Sequence, residues 1–314
     1  MKTSDLVMPK PPYPIDVVYT WAGESFSEDS GSSNNNELKY SLRSIHKFLP
    51  WVNHIFILVN YPKKVPSWFG NNYRRYISLF DLRETFPRLE DTPNTNSNAI
   101  EFTLHRIPGL HEQYIYFCDD FFIGKRLPYT YFFTQEGEPF ISHYVKHPIS
   151  ILKDPNHHPL GFPLPEMLPE WYPHIPISYL KSQVIEFEQA YPEYVNWIRA
   201  TRSRDGQGHD VCEAMGLRCP CQQIHSTVGT FMYKNKKAVA KEFRTEKGTL
   251  YGSMCSESYV NSTNLDTLNQ LLLKATHTFA IQDTERDPKR RKGIYATLEN
   301  FFQKMYPEQP PWEE

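Results

Sequence analysis

The sequence has no G-x-G-x-x-G, so it lacks the turn by which dinucleotides are held at a helix N-terminus. No G-x-x-x-x-G-K-[ST] occurs either, which argues against a P-loop NTPase. A G-x-S-x-G elbow is missing, and with it the usual serine-hydrolase signature. No apolar run reaches membrane-spanning length, and the opening MKTSDLVMPKPPYP has no signal-peptide core, so a soluble, cytoplasmic protein is expected. Cysteine is scarce and odd in number, five in 314 residues, unlike a secreted disulfide framework. Neither sign of charge dominates: the net charge is −2, without the basic excess of a nucleic-acid binder.

Proline and aromatic residues are plentiful instead. The chain has 26 prolines and is 15% aromatic, a composition suited to ordered loops and stacking surfaces for sugars or nucleotides. Residues 1–14 read as a Pro-rich, extended or disordered lead, and 15–314 as one catalytic domain. Within it, 15–142 is the nucleotide-binding half, 143–230 a lid or acceptor region, and 231–314 a part that completes the site. Ile15-Asp-Val-Val-Tyr-Thr-Trp21 reads as the first core strand. Asn36 caps a helix from Glu37 to Leu49 with Leu38, Leu42, Ile45 and Leu49 as its buried stripe. Strands follow at 54–59 and 76–80, the first of them turning at Asn60. The order predicts an α/β, Rossmann-like (GT-A-like) core.

The most informative stretch runs from Thr95 to Gly124. Asn96 or Ser97 caps a short helix whose apolar stripe is Ile100, Leu104 and Ile107. Glu101 and His105 then stand one turn apart on another face. Pro108-Gly109 stops the helix, and the aromatic strand Tyr114–Cys118 ends on Asp119 and Asp120. Adjacent acids amid apolar sequence are costly to bury without positive charge. At the carboxyl end of a strand, where α/β sheets bind ligands, they fit a divalent cation holding a nucleotide diphosphate. A solvated Asp-Asp turn is the plainer alternative.

Further on, 143–176 is rich in proline and histidine, a helix is expected over 177–194, and Arg199, Arg202 and Arg204 cluster. A short strand over 278–281 precedes Asp283, and a last amphipathic helix spans 294–305. Cys212, Cys219, Cys221 and His225 have donor types for a tetrahedral structural Zn²⁺ site, although the spacing is not a standard finger.

Four blocks of sequence resemble the Stealth family of sugar-1-phosphate transferases, which includes bacterial capsule polymerases and the catalytic subunit of lysosomal GlcNAc-1-phosphotransferase. The first is Ile15–Trp21. The second runs from Asn36 to Leu58, then through Val65-Pro-Ser-Trp68, Asn96–Glu101, Leu104–Leu110 and Tyr114–Lys125. The third is His174-Ile-Pro176 with Thr201-Arg-Ser-Arg204. The fourth is Phe279–Thr284 with Tyr306–Glu313. The chain departs from the pattern at Cys118, where the family has Asn, at Ala22-Gly23, where an acidic turn is usual, and at Gln282.

The resemblance implies transfer of a hexose- or N-acetylhexosamine-1-phosphate from a UDP-sugar such as UDP-GlcNAc to a glycan hydroxyl, with release of UMP. It implies catalytic roles for Glu101, Asp120, His174 and Arg204. Candidate substrate contacts are Thr20, Trp21, Arg43, Asn60, Asn96, Ser97 and His105. Asp119, Asp120 and Asp283 are candidate ligands for Mg²⁺ or Mn²⁺. The expected partners are the donor and a glycan acceptor, with a homodimer possible and no nucleic acid or membrane span. An ordinary metal-dependent glycosyltransferase releasing UDP, and a non-catalytic glycan-binding protein, are the competing readings.

Overall fold

The structure is a computed structural model that describes residues 8–23, 36–60, 64–144, 175–202, 224–243, 277–281 and 288–314. The sheet begins where the β-branched run predicts it, at β1 (Ile15–Trp21). Helix α1 (Glu37–Phe48) follows, and β2 (Ile55–Val59), buried at every position, pairs parallel to β1 with Val17 opposite Ile55. β3 (Ile77–Asp81) adds parallel to β2. The chain then crosses back through α2 (Ser97–Glu101) to β4 (Gln113–Cys118), which pairs parallel with the other side of β1. The order β3-β2-β1-β4 therefore reverses between β1 and β4, and in such sheets ligands bind outside the carboxyl ends of those two strands. The expected Rossmann-like α/β core is present.

Each face of the sheet has its own core. On one face Val17, Tyr19, Ile57, Ile115 and Phe117 pack against Leu38, Leu42 and Ile45 of α1 and against Leu49, which caps its C-terminus. Each of these large apolar side chains gains about 1.5–3 kcal/mol from burial. Asn36 occupies the N-cap position in a left-handed conformation, φ 60°, but makes no cap hydrogen bond. Its amide instead donates to Tyr295 at 2.8 Å, on α6 (Pro288–Met305), the closing helix. The C-terminal residues then fold back over α1, where Arg43 Nε donates to Glu313 at 2.8 Å and Trp312 is buried.

On the other face Val18, Phe56, Tyr114 and Tyr116 meet α2, α3 (Lys181–Ala190), α4 (Pro192–Ala200) and α5 (Ile224–Lys234). Here the structure corrects the sequence reading. Residues 177–180 form an antiparallel strand rather than the start of a helix; they are numbered in chain order after β5 (Phe121–Ile123) and β6 (Phe140–Tyr144). This strand, β7 (Ile177–Leu180), closes the sheet against β4. Helix α2 also ends sooner than the periodicity suggests, at Glu101, and resumes only as a 3-10 turn over Leu104–Arg106.

Two small ribbons complete the frame. β8 (Val239–Phe243) pairs parallel with β6. β9 (Thr278–Ala280) pairs antiparallel with β5, directly after the acid pair. The described part of the lead, 8–14, is seated on the protein: the Tyr13 hydroxyl donates to the Thr134 carbonyl at 2.5 Å, and its ring meets Tyr129 and Phe133 edge-on.

Candidate active site

Asp119 and Asp120 occupy the turn between β4 and β5, so the position of β5 decides where the acids stand. Three hydroxyls of the α1 side fix it. Ser41 donates to the Phe121 carbonyl, the Tyr19 hydroxyl meets Ser41 at 2.7 Å, and Ser44 accepts from Ile123 N–H at 3.1 Å. From the far side, Ile281 N–H donates to the Asp120 carbonyl at 3.1 Å. The acids are thereby held beside the carboxyl ends of β1 and β4, where the strand order reverses.

Asp119 is held well above the usual carboxylate range, by burial first and then by the charges of Asp120 and Glu37. Carboxylates that resist joint ionisation suit a hard divalent cation, whose charge would remove both penalties. Among the described residues no group of three or more His, Cys, Asp and Glu side chains is arranged to hold a metal. Asp283, the expected third ligand, lies outside the described residues, as do His174, Arg204, Cys212, Cys219 and Cys221. His225 lies half-buried on α5.

Glu101 reaches the same strand ends through a tyrosine that sequence reasoning treated only as core. Tyr116, on β4 two residues before Cys118, points its hydroxyl to the carboxyl end of the sheet. The hydroxyl donates to Glu101 Oε1 at 3.2 Å, stands 3.0 Å from Thr20 Oγ1 on β1, and stands 3.3 Å from Cys118 Sγ. Burial, then the neighbouring Cys118 and Glu101, push the Tyr116 phenol far above its ordinary value, so it stays protonated and donates. The Cys118 thiol is likewise pushed up by burial, then by Asp120 and Glu101, which puts the acid pair and Glu101 within one electrostatic neighbourhood. The alternation of β4 was the available signal: Tyr114, Tyr116 and Cys118 share one face.

The remaining candidates divide. Asn60 follows β2 at the same carboxyl edge, and its amide oxygen is buried without a hydrogen-bond partner among the described residues. An unmade bond of that kind is costly unless a ligand supplies the donor. Asn96 is the N-cap of α2: its Oδ1 accepts from Asn98 N–H at 3.2 Å, while its Nδ2 donates to the Thr201 carbonyl at 3.1 Å. Ser97, half-buried, is the first residue of α2. Thr95 donates to the Arg202 carbonyl at 2.9 Å, so the segment leading to Arg204 docks onto the loop before Glu101. Trp21 turns into the core on the α1 face.

Arg43 and His105 are engaged by protein. Both forks of Arg43 hold Glu313, and a third donor reaches the Tyr306 carbonyl at 3.2 Å. His105 is separated from Glu101 by the break after α2, and its Nε2 lies 2.9 Å from Glu188. Arg199 grips the same carboxylate with two contacts of 2.6 Å and is itself buried, which leaves it no role as a phosphate clamp.

An open cleft flanks β4 on the β7 side. Phe140, Ile175, Ile177, Ser178, His225 and Met232 line it, and Ile177 is the register partner of Tyr116.

The chain thus joins a Rossmann-like sheet to carboxylates placed where its strand order reverses, the edge at which such sheets bind ligands. Residues 32–141, which contain α1, Glu101, Tyr116 and the acid pair, match the family model described as Stealth protein CR2, conserved region 2. The chain therefore carries the second conserved region of the Stealth family, and the resemblance drawn from the sequence is borne out there. It is 35% identical over 147 residues to the capsular polysaccharide phosphotransferase LcbA of Neisseria meningitidis, covering 40% of this chain and 39% of that protein. It is 40% identical over 147 residues to the capsular polysaccharide phosphotransferase fcs1 of Haemophilus influenzae, with the same coverage. A longer alignment, 30% identical over 222 residues and 61% of this chain, joins it to an exopolysaccharide phosphotransferase of Streptomyces coelicolor, of which it covers 40%. The chain thus spans about two fifths of the length of these curated relatives.

Proposed function

We propose that this protein is a phosphotransferase that moves a sugar-1-phosphate from a UDP-sugar to a hydroxyl of an acceptor glycan. The observation that carries this reading is the convergence of Asp119, Asp120 and the Glu101–Tyr116–Thr20 chain on the β1/β4 strand ends, with all of these residues except Thr20 inside the 32–141 stretch that matches Stealth conserved region 2. The acceptor oxygen attacks the β-phosphorus, a new O–P bond forms, and the bond to the α-phosphate bridge breaks, so that UMP leaves. The sugar–oxygen bond stays intact.

Transfer of this kind depends on positioning and charge neutralisation more than on covalent help. Asp119 and Asp120 would hold Mg²⁺ or Mn²⁺, which when bound neutralises charge developing on the leaving UMP. Glu101, oriented by the Tyr116 hydroxyl, would position the acceptor hydroxyl or take its proton. His174 is the other candidate base, and Arg204 would clamp the transferring phosphoryl group through its two-pronged guanidinium. Asn60 would accept from the donor at the mouth of β2. The acceptor would approach beside β7, where Phe140, Ile175 and Ile177 line a small cleft.

Incubation with a panel of UDP-sugars, UDP-GlcNAc among them, and a glycan acceptor should release UMP. Release of UDP instead would assign glycosyl transfer, since strand-end acids serve that chemistry as well. Binding of UDP-sugar without turnover on any acceptor would favour a glycan-binding role.

A further inference from the structure

The ribbon of β5 and β9 has the acid pair at one end and a group of cations at the other. At the near end Ile281 N–H bonds the Asp120 carbonyl, and at the far end Gly124 N–H bonds the His277 carbonyl at 3.0 Å. The four residue steps from Asp120 to Gly124 separate the ends by roughly 13 Å at the rise of a strand. At the far end the His277 ring stacks on Tyr131, with centroids 5.4 Å apart and planes 11° apart. Lys241, from β8, holds its ammonium 4.1 Å from the centre of the Tyr131 ring and 5.2 Å from that of Phe140. One of its donors goes to the Tyr131 carbonyl at 3.2 Å, which among the described residues leaves two for a ligand.

No carboxylate pairs with the ammonium groups of Lys125 and Lys241 among the described residues. Burial pushes the half-buried Lys241 below its ordinary value. His277 is lowered by burial first and then by Lys125 and Lys241, so both ammonium groups lie within electrostatic reach of its ring. Grouped cations with spare donors and no counter-charge favour an oxyanion. Their aromatic neighbours suit a sugar. Phe140 is shared with the cleft beside β7, so the cations stand on the border of the region assigned to the acceptor.

We infer that Lys125, Lys241 and His277 form a second subsite, which binds a phosphate group carried by a sugar of the acceptor chain. The inference rests on the proposed function, for a glycan built by sugar-1-phosphate transfer carries phosphodiesters, and it goes further by giving the acceptor a negative charge.

The test is binding of glucose 6-phosphate, compared with glucose, to the full chain without donor or divalent metal. Glucose 6-phosphate should bind and glucose should not, and added salt should weaken the binding. Lys125→Met and Lys241→Met should each weaken it about tenfold, the factor for about 1.4 kcal/mol. Lys241→Arg should retain most of it, and Lys304→Met, on α6, should have no effect. Should Lys241→Met fail to fold, Lys125→Met decides alone, because Lys125 makes no side-chain hydrogen bond or ion pair among the described residues. Unchanged affinity in the folded lysine variants, or equal binding of glucose and its phosphate, overturns the subsite. In transfer assays the same variants should raise KM for an acceptor bearing a phosphodiester and leave KM for a neutral acceptor unchanged. Absence of all transfer would contradict the functional reading, while the binding comparison would still decide the subsite.

Discussion

Tyr116→Phe removes one oxygen and leaves the ring in place. In the native protein that hydroxyl donates to Glu101 at 3.2 Å and meets Thr20 at 3.0 Å. A hydrogen bond to a charged group is worth about 1.5–3 kcal/mol, and the loss falls mainly on the orientation of Glu101. If Glu101 acts on the acceptor, turnover should drop roughly ten- to a hundredfold, at about 1.4 kcal/mol per factor of ten. The KM for the UDP-sugar should change little, because the tyrosine acts through Glu101 and not through the nucleotide. Stability should fall by only about 1 kcal/mol, as the buried ring and its packing persist. A double-mutant cycle separates positioning from mere packing: in a Glu101→Gln background, Tyr116→Phe should cost little more. Steady-state rates of nucleotide release for the four proteins provide the cycle. Additive losses, or a wild-type rate for Tyr116→Phe, would refute the argument that this hydroxyl sets Glu101.

Other expectations concern the acids, the arginines and the cysteines. EDTA should abolish activity and Mg²⁺ or Mn²⁺ restore it, while Asp120→Asn should be inactive yet folded by circular dichroism; an active Asp120→Asn removes that residue from the site. Arg199→Met should cost about 3 kcal/mol of stability in denaturant titration, since it removes the buried cation that holds Glu188 and the Phe102 carbonyl and leaves Glu188 only His105 and the more exposed Arg106. Arg204→Lys, by contrast, should slow turnover without lowering stability, because lysine keeps the charge but loses the fork. Glu188 adds a pH signature. Burial alone would raise it, but the hydrogen bonds and charges of Arg199 and His105 outweigh burial and hold it far below the usual range. Its contribution is therefore complete above the unfolded value of about 4.3 and is lost as pH falls below it. Thermal melts from pH 6 to pH 3 should show a loss that Glu188→Gln does not share. Elemental analysis should find about one zinc per chain if the cysteines and His225 form a site; a zinc-free folded chain excludes it.

The sequence made the frame legible where burial imposes a period. β1, α1, β2 and the Asp119-Asp120 strand end stand within a residue or two of their expected places, because each carries an apolar run or stripe bounded by a breaker. It failed where a distant partner decides. Ile177-Ser-Tyr-Leu180 runs into helix-forming residues without a breaker, and only pairing with β4 makes it a strand. The α2 region ends early because Asn94 and Asn96 tie its start to the 199–201 carbonyls, while Arg199 Nη2 takes the Phe102 carbonyl at 2.6 Å. That break sends Glu101 to the strand ends and His105 into a hydrogen bond with Glu188, two fates that a continuous helix could not give. Tyr116 was hidden because a tyrosine in an aromatic strand reads as core, and its ring is core; only the hydroxyl belongs to the site.

The central claim is that phosphorus, and not the sugar alone, passes to the acceptor. A UDP-sugar labelled at the β-phosphorus and incubated with protein, Mg²⁺ or Mn²⁺ and a glycan acceptor tests it directly. The label is predicted to appear in the glycan as a phosphodiester, in amounts equal to the UMP released. Label recovered only in UDP, with unlabelled sugar joined to the acceptor, would contradict it.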